Sequence, residues 1–243
     1  MSLKAQAATF LRRYGYEIRS IARPPADFDS HAIPIIEKSR PFTMTRLESL
    51  YCLVQSVRYL EQASIPGAIV ECGVYRGGCT LAAALTLEAL GSLERDIYLF
   101  DTFEGMTPPT SEDGETAKLL FDMNGTKHSI ACRSELEQVK STMAVSSYPE
   151  RLVHFVKGRV EDTLPSQAPR RIALLRLDTD WYQSTKHELV HLFPLLSPGG
   201  VLIIDDYGHW EGARRACDEY FAENKIPILL QRIDPTVRCA IKL

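Results

Sequence analysis

The chain has 243 residues, of which 45% are hydrophobic and 24% charged, and carries a net charge of −3. This is the make-up of a globular protein large enough to bury its core without disulfide staples. It argues against a nucleic-acid partner held through phosphate contacts, and no apolar run is long enough to cross a bilayer. The six cysteines include no C-x-x-C pair, which speaks against a zinc ribbon and for free thiols in a reducing compartment. The N-terminus has no signal-peptide shape, so the expected location is the cytoplasm.

In chain order, a short helix is expected over about residues 4–18, followed by irregular chain with Pro24-Pro25, Pro34 and Pro41. Thr45-x-x-Glu48 reads as a capping box opening a helix that ends before Ile65-Pro66-Gly67. Strand-like runs follow at Ala68–Cys72, Asp96–Phe100, Leu152–Val156, Ile172–Leu177 and Val201–Ile204. They alternate with helical stretches at Gly78–Leu90, Arg133–Val145, about Tyr182–Leu196 and Trp210–Asn224, with Ser197-Pro198-Gly199-Gly200 as helix stop and turn. This alternation predicts an α/β fold with a mostly parallel central sheet and helices on both faces. Ile226–Ile233 and Val237–Leu243 are joined by Asp234-Pro235-Thr236, too short for a crossover helix, so they predict a C-terminal antiparallel hairpin. The division expected is an N-terminal helical and irregular extension, 1–65, and a main domain, 66–243. Residues 102–127, rich in Pro, Gly, Thr and acids, read either as a lid or as a disordered insertion.

Three strand ends carry chemistry. Ala68-Ile69-Val70 runs into Glu71-x-Gly73-x-x-x-Gly77, a strand-to-helix turn whose glycines allow close approach of a ligand and whose helix offers unpaired amides. It is neither a Gly-x-Gly-x-x-Gly dinucleotide loop nor a P-loop; it fits the E-x-G-x-x-x-G pattern of class I S-adenosylmethionine-dependent methyltransferases. Asp101 ends the next strand, where a carboxylate suits a ribose diol or simply forms a turn. Asp162 reads as an adenine neighbour or a helix cap. Asp178, Asp205 and Asp206 follow two further strands. If those strands are neighbours, three carboxylates converge, a costly arrangement unless compensated, and an oxygen-donor set suited to Mg²⁺; the alternative is separate turn-forming aspartates. Asp180 belongs to the same turn. His209 is a candidate base or substrate contact. His187 and His191 have metal-binding spacing without the Glu of H-E-x-x-H.

Four segments, Val70–Gly78, Phe100–Met106, Leu177–Tyr182 and Ile204–Trp210, together resemble the macrocin O-methyltransferase family, whose members include sugar methyltransferases of macrolide and aminocoumarin pathways. The similarity runs from about Arg40 to Asn224. It implies a Rossmann-like class I methyltransferase using S-adenosyl-L-methionine and Mg²⁺ to methylate a sugar hydroxyl of a glycosylated natural product, and a homo-oligomer. It implies metal ligation by Asp178, Asp205 and Asp206, with Asp178 as general base; His209, from its own chemistry, is the other catalytic candidate. The cofactor set expected is Glu71, Gly73, Tyr75, Gly77, Asp101, Thr102, Asp162 and Asp178. The rival readings are an O-methyltransferase of an aromatic diol and a noncatalytic cofactor-binding protein.

Overall fold

Five short apolar runs form the parallel part of one sheet in the computed structural model, which describes residues 24–124 and 132–243. They are β1 (Ala68–Cys72), β2 (Ile97–Asp101), β3 (Val153–Lys157), β4 (Ile172–Leu177) and β5 (Leu196–Ile204). The expected hairpin is β6 (Gln231–Arg232) and β7 (Arg238–Ile241), paired antiparallel, with β7 also antiparallel to β5. The strand order is β3-β2-β1-β4-β5-β7-β6. The chain builds outward from β1 to β3, then returns to lay β4 and β5 on the other side of β1. Such a reversal opens a crevice above the carboxyl ends of β1 and β4, where sheets of this kind hold ligands.

Alternate residues of the central strands feed two cores, as the period of two requires. Ile69, Leu99, Leu174 and Ile203 face α1 (Ala32–Ser39), α2 (Leu47–Gln62) and α3 (Gly78–Ala89). Val70, Phe100, Leu175 and Ile204 face α7 (Tyr182–Leu192) and α8 (Glu211–Glu223). Phe28, Ile36, Leu50 and Val54 belong to the first core, so the described residues before position 66 share a core with the sheet. The helix expected over 4–18 lies outside the described residues.

Three local expectations are corrected. Helix α2 starts at Leu47 behind Arg46, with no side-chain cap; the Thr45 hydroxyl instead accepts a hydrogen bond from the buried Arg176 guanidinium, 3.1 Å away, so no capping box forms. Helix α7 ends at Leu192 and gives way to a 3-10 turn, Phe193–Leu195, containing Pro194. Ser197-Pro198-Gly199-Gly200 is not a turn between elements but part of β5, bulged where the pairing with β4 jumps from Leu196 to Val201. Gly199 N–H and Gly200 C=O there bond to Lys242, so the C-terminal strand's partner begins earlier than its apolar run.

The insertion after β2 carries a 3-10 turn, Ser111–Asp113, and α4 (Gly114–Asn124); its residues 125–127 lie outside those described. Its first half is fastened to α7. The buried Asp113 accepts from Tyr182 N at 2.6 Å, where a carboxylate also complements the helix N-terminus, and from Thr110 N at 2.7 Å. Trp181 Nε1 donates to the Thr107 carbonyl at 2.7 Å. α5 (Leu136–Met143) then packs Val139 and Met143 into the first core.

Candidate active site

Register brings the acids together. Cys72 pairs with Leu177, and Leu177 with Ile204, so the residues that follow stand side by side at one sheet edge. Asp178 N donates to the Cys72 carbonyl at 2.8 Å, and Asp205 N to that of Leu177 at 2.9 Å. One ligand atom from each of Asp178, Asp205 and Asp206 lies within 4.8 Å of the others.

Between them and the glycine loop there is no spare room. Gly73 has φ +79°, and a Cβ on it would stand 1.9 Å from the Asp178 carbonyl oxygen; only glycine permits the loop to lie against that backbone. Asp101 holds the loop from the other side. Its Oδ2 accepts from Val74 N (2.6 Å) and Tyr75 N (3.2 Å), and its Oδ1 from Phe103 N (2.7 Å). Burial raises the Asp101 pKa in spite of these amides. Thr102 Oγ1 donates to the Gly105 carbonyl at 2.8 Å, shaping the next turn.

Arg176 was not among the residues singled out from sequence, yet it is the hub. It is 3% exposed. Its Nη1 donates to Glu71 Oε1 (2.8 Å) and Asp178 Oδ2 (2.6 Å); its Nη2 donates to Asp205 Oδ1 (2.8 Å) and Thr45 Oγ1. Glu71 also accepts from the Thr80 hydroxyl. Part of the compensation that converging carboxylates demand is therefore supplied by the chain. It is incomplete: burial, then repulsion from neighbouring acids, still pushes Asp206 well above the usual carboxylate range. Burial does the same to Asp178 against the pull of Arg176, and lifts Asp180 to about 6. Asp178 and Asp205 each give one oxygen to Arg176, and Asp206 gives Oδ2 to Asp180 N at 3.2 Å. Among the described residues, the hydrogen bonds to Asp178 and Asp205 each use one carboxylate oxygen, and an all-oxygen set of three such groups fits Mg²⁺.

These groups line one cavity of about 530 Å³, in the range of small-molecule sites. Glu71, Gly73, Tyr75, Asp101, Thr102, Asp178, Asp205, Asp206 and His209 all border it. Gly77 is not on its wall; with φ +84° it caps α3 and packs against Val139 of α5. Asp162 is also off the wall, exposed on α6 (Val160–Thr163), while its neighbour Glu161 borders the cavity. One step along a helix turns the side chain by about 100°, which the sequence alone did not fix. Trp181 and Trp210, with ring centres 5.1 Å apart, and Phe121 of α4 form an aromatic wall. Trp210 Nε1 donates to Asp180 Oδ1 at 2.7 Å. His209 is exposed at the mouth, edge-on to Trp210. The His187 and His191 rings lie 4.3 Å apart and tilted at 57° on α7, neither borders the cavity, and no third ligand joins them among the described residues.

A sheet of this order with a single antiparallel insertion at β7, a glycine loop after β1 and an acid closing β2 defines a class I methyltransferase. The chain belongs to the macrocin O-methyltransferase family: the family profile Macrocin-O-methyltransferase (TylF) matches residues 26–239. It is thus an S-adenosylmethionine-dependent O-methyltransferase. It is 35% identical, over 80% of its length and 73% of the relative's, to 8-demethyl-8-(2,3-dimethoxy-alpha-L-rhamnosyl)-tetracenomycin-C 4'-O-methyltransferase of Streptomyces olivaceus. It is 33% identical to demethyldecarbamoylnovobiocin O-methyltransferase of Streptomyces niveus, over 79% of this chain and 72% of that one. Among solved structures, the O-methyltransferase NovP superposes with a TM-score of 0.76 at 29% identity, covering 83% of this chain and 82% of that one. No helix among the described residues is long and apolar enough to cross a membrane.

Proposed function

We propose that the chain methylates a sugar hydroxyl of a glycosylated natural product, with S-adenosylmethionine bound at the glycine loop and Mg²⁺ held by Asp178, Asp205 and Asp206. The observation that carries this reading is the meeting of three carboxylates with the Gly73 loop in one cavity. The name of the tetracenomycin relative, which specifies a rhamnosyl group and a 4' position, favours a glycoside over a simple aromatic diol.

A sugar hydroxyl is a poor nucleophile near neutral pH, so the site must ease loss of its proton. Mg²⁺ at the three aspartates supplies fixed positive charge that favours that loss, and the cofactor supplies an electrophilic methyl group. Asp178 accepts the proton as general base, since its carboxylate stands in the acid cluster and its backbone lies against the glycine loop. Asp101 orders the loop amides and, as a carboxylate bordering the cavity, is the acceptor assigned to the ribose. Glu71, anchored by Arg176 and Thr80, stiffens the floor between the two subsites. The aromatic wall and α4 exclude water, which strengthens every charge interaction inside.

The test is methyl transfer from labelled cofactor to a panel of glycosides and catechols, with and without chelator, for wild type and Asp178→Asn. Glycoside turnover that stops with chelator and returns with Mg²⁺ is expected, and D178N loses turnover while its cofactor affinity, read by calorimetry, changes little. Chelator-insensitive transfer rejects the metal; full activity in D178N rejects the base; turnover of catechols alone rejects the sugar.

A further inference from the structure

The proposed Mg²⁺ ligands are held from behind by a group that itself carries positive charge. Glu71 and Arg176 are directly paired across β1 and β4, so both side chains point to the same side of the sheet, and the guanidinium plane spans from Glu71 to Asp205. A fork of this kind fixes the separation and orientation of the carboxylates it binds, which a point charge does not. We propose that Arg176 is the positioning residue of the cation site: by engaging Asp178 Oδ2 and Asp205 Oδ1 at 2.6 and 2.8 Å, it sets the spacing of their remaining oxygens. This rests on the reading that those aspartates hold Mg²⁺. The alternative is that Arg176 only offsets buried negative charge.

The two roles separate in Arg176→Lys, which keeps the charge and loses the fork. Thr45→Val is a milder probe: it keeps the guanidinium and removes the hydroxyl that steadies Nη2 from the loop before α2, together with that hydroxyl's contact with the buried Cys79 thiol. Calorimetric titration of the full chain with MgCl₂, and separately with S-adenosylhomocysteine, reads both sites without turnover. Positioning requires that R176K weaken Mg²⁺ about tenfold or more while cofactor-product affinity stays nearly unchanged, because Glu71 keeps Thr80. T45V weakens Mg²⁺ by a smaller factor in the same direction. An R176K protein that binds Mg²⁺ like wild type, or one that loses both ligands equally, overturns the role. If R176K does not fold, T45V decides, and an unchanged Mg²⁺ affinity there overturns it. A wild-type chain that binds no Mg²⁺ removes the metal reading itself, and this role with it; binding by wild type with no change in the variants removes only the role of Arg176.

Discussion

Replacing Gly73 by alanine tests whether the glycine loop and the Asp178 backbone are in true contact. Two costs add. A non-glycine residue held at φ +79° is disfavoured by roughly 1–2 kcal/mol. The new Cβ would stand 1.9 Å from the Asp178 oxygen and 2.6 Å from its carbonyl carbon, backbone atoms that cannot swing aside as a side chain would; overpacking of this kind costs about 1–3 kcal/mol. Gly91 supplies the control, with φ +71° and nothing within 4 Å of its added Cβ. G91A bears the first cost alone. Urea unfolding of both variants should therefore show G73A less stable than G91A by about 1–3 kcal/mol, with methyl transfer falling further because Asp178 must move. Equal midpoints for the two variants would refute the contact and the placement of Asp178 against the loop.

Other outcomes follow from buried acids. Glu188 is fully buried, with Oε1 accepting from Thr179 Oγ1 at 2.9 Å and Oε2 unpartnered among the described residues. Burial raises its pKa well above the ordinary 4.5. The folded state then binds the proton more tightly than the unfolded, so this group's contribution falls as pH rises from 4.5 toward the raised value. Glu188→Gln cannot ionise, and its stability advantage over wild type should grow with pH by up to about 1.4 kcal/mol per unit in that window; parallel stability–pH curves would reject a buried neutral acid. Asp101→Asn keeps one acceptor where three backbone amides need two oxygens. It should cost about 1–3 kcal/mol in denaturant unfolding and weaken cofactor binding in calorimetry; an unchanged midpoint would show that the amides do not depend on the carboxylate.

What was legible in the sequence was whatever depends on neighbouring residues. Apolar runs of four to six marked the strands, and the short Asp234-Pro235-Thr236 link marked the hairpin. Because Asp178 and Asp205 each directly follow a strand, a parallel register was enough to place them together. Arg176 escaped because an arginine inside an apolar run has no local signature of its partner. The usable signal was there in principle: a charge in a strand buried on both faces needs an opposite charge at the same level, and Glu71 occupies that level in β1. The Thr45 capping box failed for the same cause, since a hydroxyl well placed for a helix amide went to a distant guanidinium. The helix stop at Ser197–Gly200 failed because those glycines bond to Lys242, just past β7; for Asp162, one position on a short helix decides which side chain reaches the cavity, and its neighbour Glu161 is the one that borders it.

The C-terminal hairpin also reaches the mouth of the site. Asp234, Thr236 and Val237 border the cavity; the Asp234 carboxylate is tied to Ser49 of α2 at 2.8 Å, and a side chain on Gly208 would strike the Pro235 carbonyl. A chain cut after Asn224 would keep the residues of the glycine loop, Arg176 and the acid cluster, yet leave β5 without its antiparallel partner and one flank of the cavity open to solvent. The tail is thus both a wall of the reaction vessel and a brace for its acids: β7 pairs with β5 up to Ile204, and Gly208 N–H, just past Asp206, donates to the Thr236 carbonyl at 2.8 Å.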